Sequence, residues 1–334
     1  MISQILENRF EIESQLTCTD FSRVYLAGDR RHLHRPLCLI TAIPYHQREI
    51  RHRLEREAHL LERLGRHPQI PRVLAYFHSA GDLSGKPLKE QKDHSLGTFY
   101  LIQDHIEGHP LSKELTPRKR LSESYVSQLI KDVLVALAFA HEQGLVHQNL
   151  HPQHLIRSDR GGQIFVTHFG AIAKIARSQV AADGSLGCSI PLSPHPYSAP
   201  EQLQAATHGT DKPLPASDLY ALGLIAIEAL TGDRHHQFSY EAQQGLQWRT
   251  QAEVSIPLAE FIDRLIRHDW RDRFTDATEA LATFRDQSER DRIAKNSHLP
   301  TVVAAPGTRG RQPLVSNHPQ ADPSQFTGQI TGQI

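Results

Sequence analysis

The hydrophobic pattern changes period along the chain. Residues 9–43 hold short apolar pieces, FEIESQL, RVYLAG and PLCLITAI, of strand length and joined by turns. In EIRHRLEREAHLLERLG the period becomes helical: Leu54, Ala58, Leu61 and Leu64 share one stripe, with Gly65 as a C-terminal cap. HPQIPRVLAYFHS and GTFYLIQDHIEG predict two more strands, and the polar AGDLSGKPLKEQKDHSL between them predicts an exposed loop. The rest is mainly helical. YVSQLIKDVLVALAFAHEQG places Val126, Leu129, Ile130, Val133, Leu134 and Leu137 at helical spacing and ends at Gly144. ASDLYALGLIAIEALTG is apolar nearly all round and predicts a helix buried on most sides. LAEFIDRLIRHDW is amphipathic. Residues 296–334 lose the period, turn to Pro, Gly, Ser, Thr and Gln, and end in the direct repeat TGQITGQI, which predicts a disordered tail.

Composition narrows the classes. The 334 residues suffice for two lobes, each with a core. Lys+Arg and Asp+Glu both number 37, so no polybasic field points to nucleic acid. Cys18, Cys38 and Cys188 are odd in number and far apart, which reads as reduced thiols in a cytoplasmic protein. No basic segment followed by an apolar core opens the chain, and LYALGLIAIEAL is too short to span a bilayer, so neither a signal peptide nor a membrane span is expected. The 22 histidines would make the chain basic below about pH 6.5, as a sensor would require, although solvated surface explains them more simply.

Four short stretches occur in a fixed order: HQNLHPQHLI from His147, VTHFGAI, YSAPEQ and SDLYALG. Together with the order of elements they resemble the eukaryotic-type serine/threonine protein kinases, most of all the bacterial, cyanobacterial-style branch, over residues 8–290. The resemblance implies an α+β, two-lobed fold. A small antiparallel sheet with one helix would form an N-lobe over about 8–106, and a larger, mainly helical C-lobe would follow over about 107–290. It also implies roles for packing residues. Glu201 of SAPEQ should pair with Arg273 of WRDRFTDATEAL, Asp218 should hold the catalytic-loop backbone, and His147, Phe169 and Gly170 match the His of His-Arg-Asp and the Phe-Gly of Asp-Phe-Gly. Glu57 falls on the helix glutamate that pairs with an ATP-contacting lysine.

Kinase chemistry is largely positioning and charge stabilisation around ATP and its metals. The matching positions here carry other residues. In LTCTDFSRVY, Thr17, Thr19 and Ser22 replace the three glycines that let backbone approach phosphate, while Phe21 and Val24 remain as packing residues. In CLIT, Thr41 replaces the lysine, and Leu39 enlarges the alanine that lines the adenine slot. Asn149 replaces the aspartate base, and an amide has negligible basicity. Gln148 replaces the arginine that pairs with activation-loop phosphate. His151 stands for a phosphate-neutralising lysine, His154 for the metal-binding asparagine, and His168 for the metal-binding aspartate. Mg²⁺ prefers oxygen ligands, so imidazoles at both metal positions disfavour Mg·ATP.

Three functions follow as expectations. The first is a catalytically inactive pseudokinase, regulatory or scaffolding, with no nucleotide cofactor and another protein as partner, such as an active kinase. On this view LGCSIPLSPHPYSAPEQ offers a peptide-docking region. The second is residual or atypical ATP-dependent kinase activity, for which His151, His154, Asp159 and Asp183 are available. The third is a metal sensor: His154 and His168 should face each other, with His151 nearby, and could bind a transition metal. Cys18, in the former glycine-rich cover, reads as inert.

Overall fold

Strand alternation and one amphipathic helix build the first lobe. The computed structural model describes residues 4–19, 22–45, 47–79, 97–169, 196–208, 214–234, 240–241 and 245–297. Phe21, Gly170, Asp183, Cys188, loop 80–96 and everything beyond 297 lie outside the described residues. Strands β1 (Ile5–Leu6), β2 (Phe10–Cys18), β3 (Arg23–Asp29), β4 (Leu37–Tyr45), β5 (Val73–Ser79) and β6 (Gly97–Asp104) form an antiparallel sheet in the order β1-β2-β3-β4-β6-β5. Alternation along β4 divides its side chains. Cys38, Ile40 and Ala42 join Phe10, Tyr25, Tyr100 and Ile102 in a cluster on one face. Ile43 and Tyr45 join Ile50, Leu54, Ala58 and Leu61 on the other. Leu39 and Thr41 share the second face by the same two-residue period.

Helix α1 (Arg48–Leu64) matches the predicted stripe, and Leu54, Ala58, Leu61 and Leu64 are buried. Gly65 follows it, but in right-handed geometry (φ −63°). The reason for glycine there is space: a Cβ would lie 2.8 Å from the Arg72 Cα. The predicted strand at HPQIPRVLAYFHS begins only at Val73, because residues 67–72 turn instead. That turn carries buried Gln69, whose side-chain Nε2 donates to the carbonyls of Asp132 (3.2 Å) and Ile164 (2.9 Å), while its backbone carbonyl accepts from Val166 N (2.9 Å). One residue thus fixes the end of α1 to the second lobe.

The second lobe holds α2 (Glu123–Glu142), α3 (Pro200–His208), α4 (Pro215–Thr231), α5 (Ile256–Leu265) and α6 (Ala277–Ser297), with a three-stranded antiparallel sheet β7 (Gly108–Pro110), β8 (Leu155–Ser158) and β9 (Ile164–Val166), and a short β10–β11 pair (Tyr240–Glu241, Gly245–Leu246). Ser122 caps α2 by accepting from Tyr125 N. Helix α4 is buried on nearly every side, as its composition predicts. Helix α6 runs to Ser297, one residue past the start of the predicted tail. Residues 1–291 form one compact unit. Within it, a hydrophobic cluster runs from Ile43 and Leu54 of the sheet lobe through Leu134 and Leu137 to Ile225 and Phe261.

Leu134 is fully buried in that shared cluster. We expect Leu134→Ala to lower unfolding free energy by about 2–5 kcal/mol in urea titration of the full chain.

Candidate functional site

The loop HQNLHPQHLI joins α2 to β8, and one carboxylate shapes its start. Asp218, 1% exposed in the first turn of α4, accepts from the backbone N of His147 (2.7 Å) and of Gln148 (2.8 Å). It also accepts from His141 Nε2 (3.0 Å), while His141 Nδ1 accepts from Ala277 N (3.1 Å). Three donors hold the Asp218 charge away from water. Gln148 takes a left-handed conformation (φ +62°), which turns the chain so that successive amides meet one carboxylate. Gln202 Nε2 in turn donates to the Gln148 carbonyl (3.2 Å).

His147 is fully buried and satisfied at both ring nitrogens. Its Nε2–H donates to the Thr167 carbonyl (2.9 Å), and its Nδ1 accepts from Asn149 N (3.3 Å). Burial pushes its pKa down, so the ring is neutral. Phe169 packs against it with ring centroids 4.6 Å apart.

Thr167 links the loop to the segment after β9. Its backbone N and its hydroxyl both donate to the His154 carbonyl (2.9 and 3.0 Å). The hydroxyl oxygen therefore accepts from His168 Nδ1 (2.9 Å). His154 Nδ1 donates to the Asn149 carbonyl (2.9 Å). These bonds assign Nδ1–H tautomers to both His154 and His168 and leave each Nε2 an acceptor. The two rings lie nearly parallel, with centroids 4.7 Å apart and planes at 14°. His151 packs on His154 from another side (3.7 Å) and caps the 3₁₀ turn Pro152–His154 by accepting from Gln153 N.

The electrostatics of the stack are those of neutral imidazole. His154 is pushed far down, first by burial and then by His168, His151 and His147. His168 is lowered to about 4, again by burial first and then by His147. Its surface still meets solvent, which screens part of that effect. The expected facing of His154 and His168 is present, as a ring stack. His151 belongs to the same cluster, yet among the described residues no group of three His, Cys, Asp or Glu side chains is placed to hold a metal ion.

The other expected positions are distributed around this centre. Thr41 pairs with Val24 and Leu101 across the sheet, and Leu39 with Leu26 and Gln103. Glu57 is half-buried on α1. Burial raises its pKa, Arg53 and Arg56 oppose the rise, and it makes no hydrogen bond among the described residues. At the β2–β3 hairpin, Thr17 lies in β2 and Thr19 bonds Ser22 four ways. Thr19 N and Oγ1 both donate to the Ser22 carbonyl (2.9 and 3.0 Å), Ser22 N donates to Thr19 Oγ1 (3.0 Å), and the two hydroxyls lie 3.1 Å apart. Two backbone donors of the cover are consumed internally. Cys18 is exposed, and Asp159 sits in the turn between β8 and β9.

The Glu201–Arg273 pair forms as a fork. Arg273 Nη1 and Nη2 donate to the two Glu201 oxygens at 2.7 and 2.9 Å. Arg273 also donates to the carbonyls of Arg267, Ala216 and His268, and Ser217 Oγ donates to Glu201. Gln69, His141 and Thr167 also organise the site. Each acts through a partner distant in sequence, so periodicity carries no trace of them.

This frame and loop match a protein kinase domain model over residues 11–284, and the chain belongs to the protein kinase family. Serine/threonine-protein kinase C of Synechocystis is 30% identical across 97% of this chain and 57% of its own length. Serine/threonine-protein kinase F of the same organism is 36% identical across 68% of this chain and 43% of its own length. The chain spans about half the length of the curated relatives it matches. The crystal structure of the Mycobacterium tuberculosis PknI kinase domain overlays with a TM-score of 0.57 at 20% identity, over 86% of this chain and 99% of that one, and shows the fold.

The lowered histidine pKa values fix a pH dependence. The unfolded chain binds more protons at these sites than the folded one once pH falls below about 6.5. Their contribution is therefore complete above that pH and is lost as pH falls toward about 4. We expect the double variant His154→Gln/His168→Gln to show a shallower loss of melting temperature than the parent between pH 6.5 and 4. Arg273→Ala leaves Glu201 without its cation and should cost about 3–5 kcal/mol in denaturant titration.

Proposed function

We propose that this kinase-family chain is a regulatory or scaffolding pseudokinase that docks another protein and does not transfer phosphate. The observation that carries the reading is the neutral His154–His168 stack, bonded through Thr167 and the Asn149 carbonyl, at the two positions where the family resemblance calls for metal-binding oxygen ligands. Imidazole there is a poor ligand for hard Mg²⁺. Thr41 in place of the lysine brings no cation to a phosphate, and Asn149 is no base. The Thr19–Ser22 bonds further reduce the backbone donors open to an anion.

A second reading keeps activity. The relatives named serine/threonine-protein kinases reach 30–36% identity, and an atypical ATP-dependent kinase would transfer phosphate through other side chains.

The test compares melting of the full chain with and without millimolar ATP and Mg²⁺, followed by transfer of radiolabelled γ-phosphate to a generic protein substrate. The expected outcome is no shift and no transfer. A ligand at 100 times its Kd would stabilise by about 2.7 kcal/mol, a shift of a few degrees. Transfer that disappears in a cleft-blocked control would establish the second reading instead.

A further inference from the structure

Away from the cleft, the segment before α2 meets the end of α4 in a stitched, concave junction. Arg118 N donates to the Gly232 carbonyl (2.8 Å), Leu121 N to the Ala229 carbonyl (2.8 Å), and Arg120 Nε to the Thr231 carbonyl (3.2 Å). Gly232 ends α4 at φ +73°, and a Cβ there would stand 2.9 Å from the Arg118 carbonyl carbon and the Lys119 nitrogen. Only glycine allows the two segments to close this way. Between them opens a cavity of about 390 Å³, solvent at its mouth included, lined by Thr116, Pro117, Glu228, Asp233 and Arg234 among others.

Cations flank the cavity. Arg234 lines it, and Lys113, Arg118, Lys119 and Arg120 lie on the segment that lines it through Leu115, Thr116 and Pro117. All five are exposed, and none makes an ion pair among the described residues. The nearby carboxylates are mostly engaged. Glu114 receives Arg157, His109 and Tyr125. Glu123 receives the backbone N and hydroxyl of Ser255. Glu228 is buried at the cavity and receives the Tyr197 hydroxyl, and half-buried Asp233 is the other carboxylate that lines it.

We infer that this junction docks an acidic peptide segment of a partner protein. The inference deepens the docking role proposed above and rests on it. Exposed, unpaired cations along one segment beside this concavity suit a chain whose carboxylates meet them. A membrane would meet a flatter or convex surface. Single-stranded nucleic acid would call for exposed aromatic platforms, which the rim residues do not supply.

The experiment uses the full chain without nucleotide and reads the fluorescence anisotropy of a labelled Asp/Glu-rich dodecapeptide. A Ser/Gly peptide of equal length and a single-stranded oligonucleotide serve as comparisons. We expect the acidic peptide to bind, to weaken as salt is raised, and to weaken about tenfold in Lys113→Glu/Lys119→Glu. Arg285→Glu, exposed on α6, should leave binding unchanged. Lys113→Gln/Lys119→Gln should give a smaller loss in the same direction, which separates charge from misfolding. The inference is overturned if both lysine variants bind like the parent, if the Ser/Gly peptide binds as well as the acidic one, or if the oligonucleotide binds more tightly. Phosphate transfer by the chain would overturn the inactive reading without altering this measurement, because no nucleotide is present.

Discussion

The Asp218 carboxylate is the interaction on which the second lobe's working surface depends. It lies in the first turn of a helix buried on almost every side, so its position is set by packing rather than by solvent. From there it fixes two successive amides of the loop at His147 and Gln148, and through His141 it reaches the start of α6. A buried charge is stable only when its lone pairs are filled. Here that requirement gives the loop one shape. The left-handed turn at Gln148, the buried ring of His147 and its bond to Thr167 all follow from that anchoring.

The same loop shows how a frame can persist while its chemistry changes. The links that hold the two lobes and the loop together use the Gln69 side chain, the Asp218 carboxylate, backbone groups and aliphatic packing. None of them needs a lysine at 41, an aspartate at 149 or oxygen ligands at 154 and 168. Imidazoles at the last two positions make their own local bonds, to the Asn149 carbonyl and the Thr167 hydroxyl. Ring stacking and hydrogen bonds tie the loop to the segment after β9. Neutral rings pack there without the unpaired charge that an aspartate at 168 would bring in the absence of a metal.

Much of this organisation is legible in the sequence. The stripe of Leu54, Ala58, Leu61 and Leu64, the all-apolar α4 and the Arg273–Glu201 pairing can be assigned from pattern and motif order. Two local expectations change in the structure. Gly65 is glycine for lack of room rather than for left-handed geometry, and the strand at HPQIPRVLAYFHS starts late because Gln69 turns inward to bind two carbonyls of the second lobe. Neither is visible in a window of neighbouring residues, since the atoms that decide them lie at Arg72, Asp132 and Ile164.

The sequence by itself determined the elements, because strand and helix periods reflect which face of a short segment must leave water. It also determined which side chains occupy the loop and cover positions, because identity is local. Only the tertiary structure decided what those side chains do. It set the tautomers of His154 and His168 through partners at Asn149 and Thr167, and packed the two rings as a neutral stack. It also brought the cationic segment 113–120 against the end of α4, where a glycine leaves just enough space for the two to meet. Each outcome depends on contacts between residues far apart in the chain, and those distances exist only once the lobes have packed.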